Sequence, residues 1–269
     1  VITRFAPSPT GPLHLGHAFS ALTGHDRARA MGGQFLLRIE DTDRARCRPA
    51  WETAIHADLR WLGLTWDGPV LRQSDHMPRY RAALAQLIAK GLCYPCTCNR
   101  ADIQAALSAP QEGTVPEGYP GICRQRMMAD WQPGQAIRLH AARALTGQPL
   151  RFRETGPEQP GWHAPDPGQI DDIVLTRRDG MIAYHLAVVV DDAAQNVTDV
   201  TRGLDLFGAT PVQVLLQSAL GLPTPSYHHH RLIRDDQGRR LAKRDDARAL
   251  TAYRANGATA QDIRRLVGL

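Results

Sequence analysis

The chain has 269 residues, 43 % hydrophobic and 22 % charged, enough to bury a sizeable core in one large domain or a domain with an insert. Its longest apolar run, residues 183–190, contains His185 and ends at Asp191 and Asp192, far short of the about eighteen residues of a membrane span. A net charge of +5 fits a nucleic-acid partner, and five cysteines, an odd number, with no visible secretory signal, argue for a reducing cytoplasm over a disulfide framework.

Residues 1–6 read as a strand, followed by a Pro/Ser/Gly turn and a helix over 16–31 that opens at His14-Leu15-Gly16-His17. A helix start offers free backbone N–H groups and the positive end of a dipole, so it can hold a phosphate. Gly16 lets a flat ligand lie close to the backbone, and the two imidazoles are donors within reach of a phosphate. Ordinary surface or core histidines are the plain alternative for such a pair. Residues 34–40 read as a strand that delivers Glu40 to a site, and 49–62 and 78–90 as helices. This alternation predicts an α/β fold, a parallel sheet wound with helices whose ligands sit at the strands' carboxyl ends.

The pattern breaks over 92–167, which holds four of the five cysteines and many Pro and Gly residues and reads as an inserted subdomain. Cys96, Cys98 and Cys123 suit zinc, which prefers soft sulfur in a closed tetrahedral shell, so the metal would be structural. Free buried cysteines are the alternative, and on composition alone Cys93 serves as a fourth ligand. Regular patterning resumes at 170–175 and 182–190, then a helix over 211–220. The tract Tyr227-His228-His229-His230 reads as a partly buried strand with no metal, and the last thirty residues as a basic loop and two short helices. Arg4 and Arg202 stand at the ends of apolar segments and Glu40 closes the strand over 34–40, which places two guanidinium groups and an acid where strand tips open onto a site; surface charges are the plain alternative.

Three segments taken together resemble the glutamyl-tRNA synthetase family of class I aminoacyl-tRNA synthetases. They are Arg4-Phe5-Ala6-Pro7-Ser8-Pro9-Thr10-Gly11, Leu37-Arg38-Ile39-Glu40-Asp41-Thr42-Asp43 and Arg240-Leu241-Ala242-Lys243-Arg244. His14-Leu15-Gly16-His17 matches the HIGH signature and residues 240–244 the KMSKS loop, and the resemblance runs through nearly the whole chain. It implies a Rossmann-type class I catalytic domain with an inserted zinc-binding subdomain. The implied divisions are a first catalytic half with the HIGH motif (1–91), the insert (92–167), a second half (168–235) and the KMSKS-like loop with short C-terminal helices (236–269). By the same resemblance Arg4, Ala6, Ser8, Glu40, Tyr184 and Arg202, with Phe5 and Pro7 in the same stretch, bind glutamate. His14, Gly16, His17, Arg240 and Lys243 bind ATP, with His14, His17 and Lys243 as the catalytic group. The fourth zinc ligand becomes the oxygen of Tyr119, and a monomer is favoured.

The implied chemistry is attack of the glutamate α-carboxylate on the α-phosphate of ATP, bound with Mg²⁺, to give glutamyl-adenylate and pyrophosphate. The attacking group carries no proton, so His14 and His17 stabilise charge and do not act as bases. Lys243 clamps the pyrophosphate. The sequence departs from the family pattern at Val188, where an amide is common, and at Arg240 and Ala242, which replace a lysine and a serine of the loop. Only 25 residues follow Arg244, too few for a further domain. The arrangement therefore resembles the branch of the family that attaches glutamate to the queuosine base of tRNA(Asp). A fragment of an ordinary tRNA(Glu)-charging enzyme and a non-catalytic glutamate- or RNA-binding paralogue are the alternatives. Arg231, Arg234, Arg239, Arg240, Arg244 and Arg248 are candidates for RNA contact, against a solvated face.

Overall fold

Short apolar strands separated by helices wind a parallel sheet in this computed structural model, which describes residues 1–108, 118–145, 149–233 and 249–269. The first part of the chain runs β1 (Ile2–Phe5), α1 (Leu15–Ala30), β2 (Gln34–Ile39), α2 (Pro49–Trp61), β3 (Leu71–Arg72) and α3 (Met77–Ala89). Then come β4 (Cys93–Cys96), α4 (Arg100–Ser108), β5 (Ala136–Leu139), α5 (Ala141–Ala144), β6 (Phe152–Glu154), β7 (Gly161–His163) and β8 (Val174–Thr176). The last part holds α6 (Tyr184–Ala194), β9 (Asp199–Gly203), α7 (Thr210–Leu220), β10 (Ser226–His230), α8 (Leu250–Ala255) and α9 (Ala260–Val267). The helices expected at 16–31, 49–62, 78–90 and 211–220 are α1, α2, α3 and α7, each displaced by at most one residue. The apolar run 182–190 is mostly helix α6, and the histidine tract is the partly buried strand β10.

Strand β1 pairs in parallel with β2, Ile2 opposite Gln34 through Phe5 opposite Leu37, and β2 with β3. On its other side β1 runs alongside β9: the Thr198 N–H donates to the Ile2 carbonyl at 3.0 Å, and Arg4 Nη1 donates to the Thr201 carbonyl at 3.3 Å. Strand β10 pairs in parallel with both β9 and β6, and β7 adds to β6 antiparallel. The chain thus leaves β1 for β2 through α1 and much later returns on the opposite side of β1. Such a reversal opens a crevice at the carboxyl ends of the two strands.

A separate antiparallel sheet has the order β4-β5-β8. Strand pairing therefore does not follow the 92–167 division. Strands β6 and β7, inside that range, extend the β9–β10 sheet, whereas β8, beyond it, closes the cysteine-bearing sheet. The reason is local: Phe152 of β6 is apolar enough to join the buried cluster of Val200, Val214 and Tyr227.

Leu15, Phe19 and Leu22 of α1 pack with Phe35, Leu37 and Ile39 of β2, Ile55 and Leu59 of α2 and Ile263 of α9 in one core. A second core joins α3, α6 and α7 through Tyr80, Leu87, Leu186, Val188, Val190, Leu215 and Leu216. Helix α9 starts with a Thr259–Asp262 capping box and is tied to α1 by Arg264, whose guanidinium donates to Asp26 at 2.7 and 3.0 Å.

The two cores meet at a buried ionic cluster. Asp192 Oδ1, at the end of α6, accepts from Arg4 Nε of β1 at 2.9 Å and from Arg38 Nη1 of β2 at 2.6 Å. Arg38 is fully buried and also reaches Gln195 Oε1 and Glu40 Oε1, each at 3.2 Å. Asp191 accepts from Tyr80 Oη at 2.8 Å and Gln73 Nε2 at 2.9 Å. Removing one partner of a buried pair leaves an uncompensated charge. Asp192→Asn is accordingly expected to lower unfolding stability by about 3–5 kcal/mol, measured by urea denaturation.

Two half-buried histidines set a pH dependence. Burial, with Arg202 nearby, holds His185 at about 4, and burial with Arg27 holds His228 at about 4, against an ordinary 6.5. Between pH 6.5 and 4 the unfolded chain takes up protons that the folded chain refuses, so stability is full above this window and falls as pH drops through it. The urea midpoint of the double variant His185→Gln/His228→Gln should decline less steeply over that interval than that of the parent chain. Parallel curves would show that these two rings do not drive the decline.

Candidate active site

A cleft of about 500 Å³ opens at the carboxyl ends of β1, β2, β9 and β10. The sequence-derived residues Arg4, Phe5, Ala6, Pro7, Ser8, His14, Gly16, His17, Glu40, Tyr184 and Arg202 all line it. Lys243 and Arg240 lie outside the described residues, as do Arg234, Arg239, Arg244 and Arg248. The residues on either side of that stretch stand at the cleft. Ile233 lines it, and Ala249 bridges to His14, with the Leu250 N–H donating to the Leu13 carbonyl at 2.8 Å.

His14 and His17 are built into the start of α1 as a reciprocal cap. The Gly16 N–H donates to His14 Nδ1 at 3.1 Å, and the His14 N–H donates to His17 Nδ1 at 3.2 Å. These rings satisfy backbone donors that a helix start leaves over. Since each Nδ1 accepts, the proton of each neutral ring sits on Nε2, and both rings carry their N–H on the outward nitrogen. Their centroids are 3.8 Å apart. Gly16 has a part in this beyond admitting a ligand: a Cβ there would stand 3.0 Å from His14 Cε1. A side chain at that position would press the imidazole away from the helix end by a few tenths of an ångström.

The two charged walls of the cleft differ. Arg4 is already paired with Asp192, and among the described residues the Glu40 carboxylate bonds only to the edge of Arg38, at 3.2 Å. Burial pushes the Glu40 carboxyl up, against the pull of Arg38 and Arg4. Arg202, 4 % exposed, donates from Nη1 to Gln213 Oε1 at 2.6 Å, from Nη2 to Thr210 Oγ1 at 2.8 Å and from Nε to His229 Nε2 at 3.0 Å. All three acceptors are uncharged, and burial holds the guanidinium below its ordinary range. Among the described residues no carboxylate forms an ion pair with it. Gln213 in turn donates from Nε2 to His185 Nδ1 at 3.4 Å, which fixes its carbonyl toward Arg202. Tyr184, at the first residue of α6, is 39 % exposed over the cleft. Val188, one turn further, is buried in the second core and does not line the cleft.

Sequence reasoning missed Arg38, Asp192, Gln213, His229 and Glu154. Asp192 had a visible signal, two adjacent acids closing an apolar run. Glu154 had none.

The cysteine centre lies on the antiparallel sheet. The sulfurs of Cys96, Cys98 and Cys123 all fall within 4.8 Å of one another, with Cys98 and Cys123 at 3.5 Å. Tyr119 Oη stands 3.5 Å from both Cys96 Sγ and Cys98 Sγ. A tetrahedral zinc with Zn–S bonds of about 2.3 Å places sulfurs about 3.8 Å apart, so the donor set fits. Cys93 packs instead in the second core, where burial raises its thiol to about 12. Arg138 lies over the Tyr119 ring, 3.7 Å from its centroid, and donates from Nε to Cys96 Sγ at 3.3 Å. Asp172 anchors the surrounding fold by accepting from Tyr94 Oη, Arg124 Nε and the Ala141 N–H at 2.6 to 2.8 Å.

No described helix is long and apolar enough to cross a membrane. The family model for the catalytic domain of class I tRNA synthetases (E and Q) matches residues 1–269. The chain is 60 % identical to the glutamyl-Q tRNA(Asp) synthetase of Rhodobacter capsulatus, with all of both chains covered. To the glutamyl-Q tRNA(Asp) synthetase of Geobacter sulfurreducens it is 44 % identical over 94 % of this chain and 79 % of the relative. Among solved structures, a glutamate tRNA ligase from Elizabethkingia meningosepticum in complex with its amino acid superposes with a TM-score of 0.74 at 30 % identity. That match covers 91 % of this chain and 52 % of the ligase, so the chain spans about half that enzyme's length. With the match running from its first residue to its last, the chain belongs to the catalytic-domain family of class I tRNA synthetases for glutamate and glutamine.

Proposed function

We propose that this chain activates L-glutamate with ATP as glutamyl-adenylate and transfers the glutamate to the queuosine base of tRNA(Asp). The observation that carries the activation half is Arg202, a buried cation whose acceptors among the described residues are all neutral, in a cleft whose other wall carries the under-compensated acid Glu40. A dipolar ligand with an ammonium for Glu40 and a carboxylate for Arg202 relieves both. A carboxylate gains more from that guanidinium than a carboxamide, which favours glutamate over glutamine. The choice of acceptor is supported by the full-length likeness to a protein named for queuosine-bearing tRNA(Asp).

In this reading the Nε2–H groups of His14 and His17 meet charge that grows on the phosphoryl oxygens as the glutamate carboxylate attacks in line. Because the backbone already fixes both rings, no reorientation is needed at that moment. ATP enters with its Mg²⁺ as part of the substrate, and Lys243, with Arg240, is the proposed clamp on the pyrophosphate. Arg4 acts through Asp192 to set the floor of the amino acid site.

Cys96, Cys98, Cys123 and Tyr119 would hold a structural zinc, which when bound would fasten the turn around Tyr119 to β4. Arg138 offsets the negative charge that three thiolates bring. Metal analysis of the purified protein should find about one zinc per chain. Cys98→Ser should lower that ratio and the melting temperature together; a full zinc complement in this variant would remove Cys98 from the ligand set.

Transfer of labelled glutamate tests the whole reading, using tRNA(Asp) with and without queuosine beside tRNA(Glu). Label on queuosine-bearing tRNA(Asp) alone is the expected result. Charging of tRNA(Glu) would make the chain an aminoacylating enzyme, and silence in both transfer and pyrophosphate exchange would leave a binding protein.

A further inference from the structure

Behind Arg202 lies a chain of buried groups whose hydrogen bonds have only one self-consistent direction. His229 of β10 and Glu154 of β6 are 1 % and 2 % exposed, and His229 is enclosed by the rings of Phe207 and Tyr227, at 5.1 and 5.9 Å. Arg202 Nε can only donate, so His229 Nε2 must accept and carries no proton. The ring's proton is then on Nδ1, which donates to Glu154 Oε2. The other carboxylate oxygen, Oε1, is fixed as an acceptor by three backbone donors: Gly156 N–H at 2.6 Å, Thr155 N–H at 3.0 Å and His229 N–H at 3.0 Å. Both oxygens of Glu154 are thus committed, and neither can be replaced by a donor without breaking the sequence.

The backbone is shaped to keep it so. A Cβ on Gly156 would collide with the His229 carbonyl, so this glycine lets the chain after β6 press against β10 and close the three-donor cradle. Charge agrees with direction. Burial holds the His229 imidazole down despite the pull of Glu154, and the N–H donors around Glu154 outweigh burial to keep it below the usual carboxylate range.

We propose that Glu154 and His229 are positioning residues for substrate selection: Glu154 fixes the His229 tautomer, and the bare Nε2 of His229 aims the Arg202 guanidinium at the side-chain carboxylate of the amino acid. This rests on the reading of Arg202 as the group that receives that carboxylate. Neither residue touches the substrate. A neutral imidazole between a carboxylate and a guanidinium also explains how Arg202 is held without a direct carboxylate partner, which would compete with the ligand.

The discriminating variant is Glu154→Gln, which keeps shape and removes charge. Its carbonyl oxygen must stay with the three backbone donors, so its amide nitrogen faces His229 Nδ1. That forces the other tautomer and sets His229 Nε2–H against Arg202 Nε–H. In pyrophosphate exchange with tRNA present, Glu154→Gln should raise the KM for glutamate by about tenfold or more, as expected for a lost hydrogen bond to a charged group. The KM for ATP should stay within about twofold, and the preference for glutamate over glutamine should shrink. A pair at position 229 gives a second readout. His229→Gln offers an acceptor to Arg202 and a donor to Glu154, so it should recover most of the glutamate affinity that His229→Leu loses. A folded Glu154→Gln with unchanged KM for glutamate overturns the proposal, as do equal KM values for His229→Gln and His229→Leu should Glu154→Gln fail to fold. Arg202→Ala separates the two levels: an unchanged KM for glutamate in that variant removes the reading of Arg202 itself, whereas a raised one beside a silent Glu154→Gln removes only the relay.

Discussion

Asp192 is the constraint on which the rest of the site depends. One carboxylate, at the end of α6, receives Arg4 from β1 and Arg38 from β2, two adjacent parallel strands whose side chains would otherwise bring two buried positive charges together. The desolvation cost of such a cluster is high, and it is tolerable only because every member is shared. Arg38 is divided among Asp192, Gln195 and Glu40, so Glu40 is left with part of a counter-charge at the place where a substrate ammonium can supply the remainder. The crevice created by the reversal of strand order becomes a selective site because its floor is pinned while, among the described residues, Glu40 is only partly compensated and Arg202 has no carboxylate partner.

The walls follow two different designs. On the phosphate side, the imidazoles of His14 and His17 serve the helix and the cleft at once, since the nitrogen that caps the backbone fixes the proton on the other. On the carboxylate side, Arg202 is supported by neutral groups that are themselves oriented from behind, Gln213 by His185 and His229 by Glu154. Both designs hold a polar donor in place without neutralising it. This is the condition under which a buried group retains its strength toward a ligand.

Much of this is legible in the amino-acid sequence. The turn from β1 into α1, the strand ending at Glu40 and the helices that follow carry local signals: a cap, a proline at a helix start, an apolar period. The cleft-lining residues between Arg4 and His17 lie in one contiguous stretch and declare themselves by composition. The interactions that orient them do not. Arg38 meets Asp192 across 154 positions of sequence, and Glu154 meets His229 across 75. Glu154 sits in a three-residue strand whose neighbours resemble any irregular segment, so nothing near it marks a buried acid. Gly16 shows the opposite limit: the glycine was visible, yet its contact with the His14 ring is a matter of rotamer and could not be read from spacing. The sheet membership of β6, β7 and β8 is hidden for a related reason, because Pro and Gly content records where regular structure stops and says nothing of which sheet a short strand will join.

That last mismatch has a mechanical meaning. The polypeptide enters the cysteine-bearing sheet at β4 and β5, leaves it to place β6 and β7 beside β10, and comes back to add β8 before running into α6. Two bodies joined by a single pair of adjacent linkers can hinge, and one of them can be cut out as a cassette. Two bodies sewn by repeated crossings share load across every thread. The cysteine sheet is thus joined through β8 to α6, the helix that begins at Tyr184 and carries Asp192 in its last turn, so the antiparallel module is sewn to the amino acid site at more than one point and is not a detachable arm.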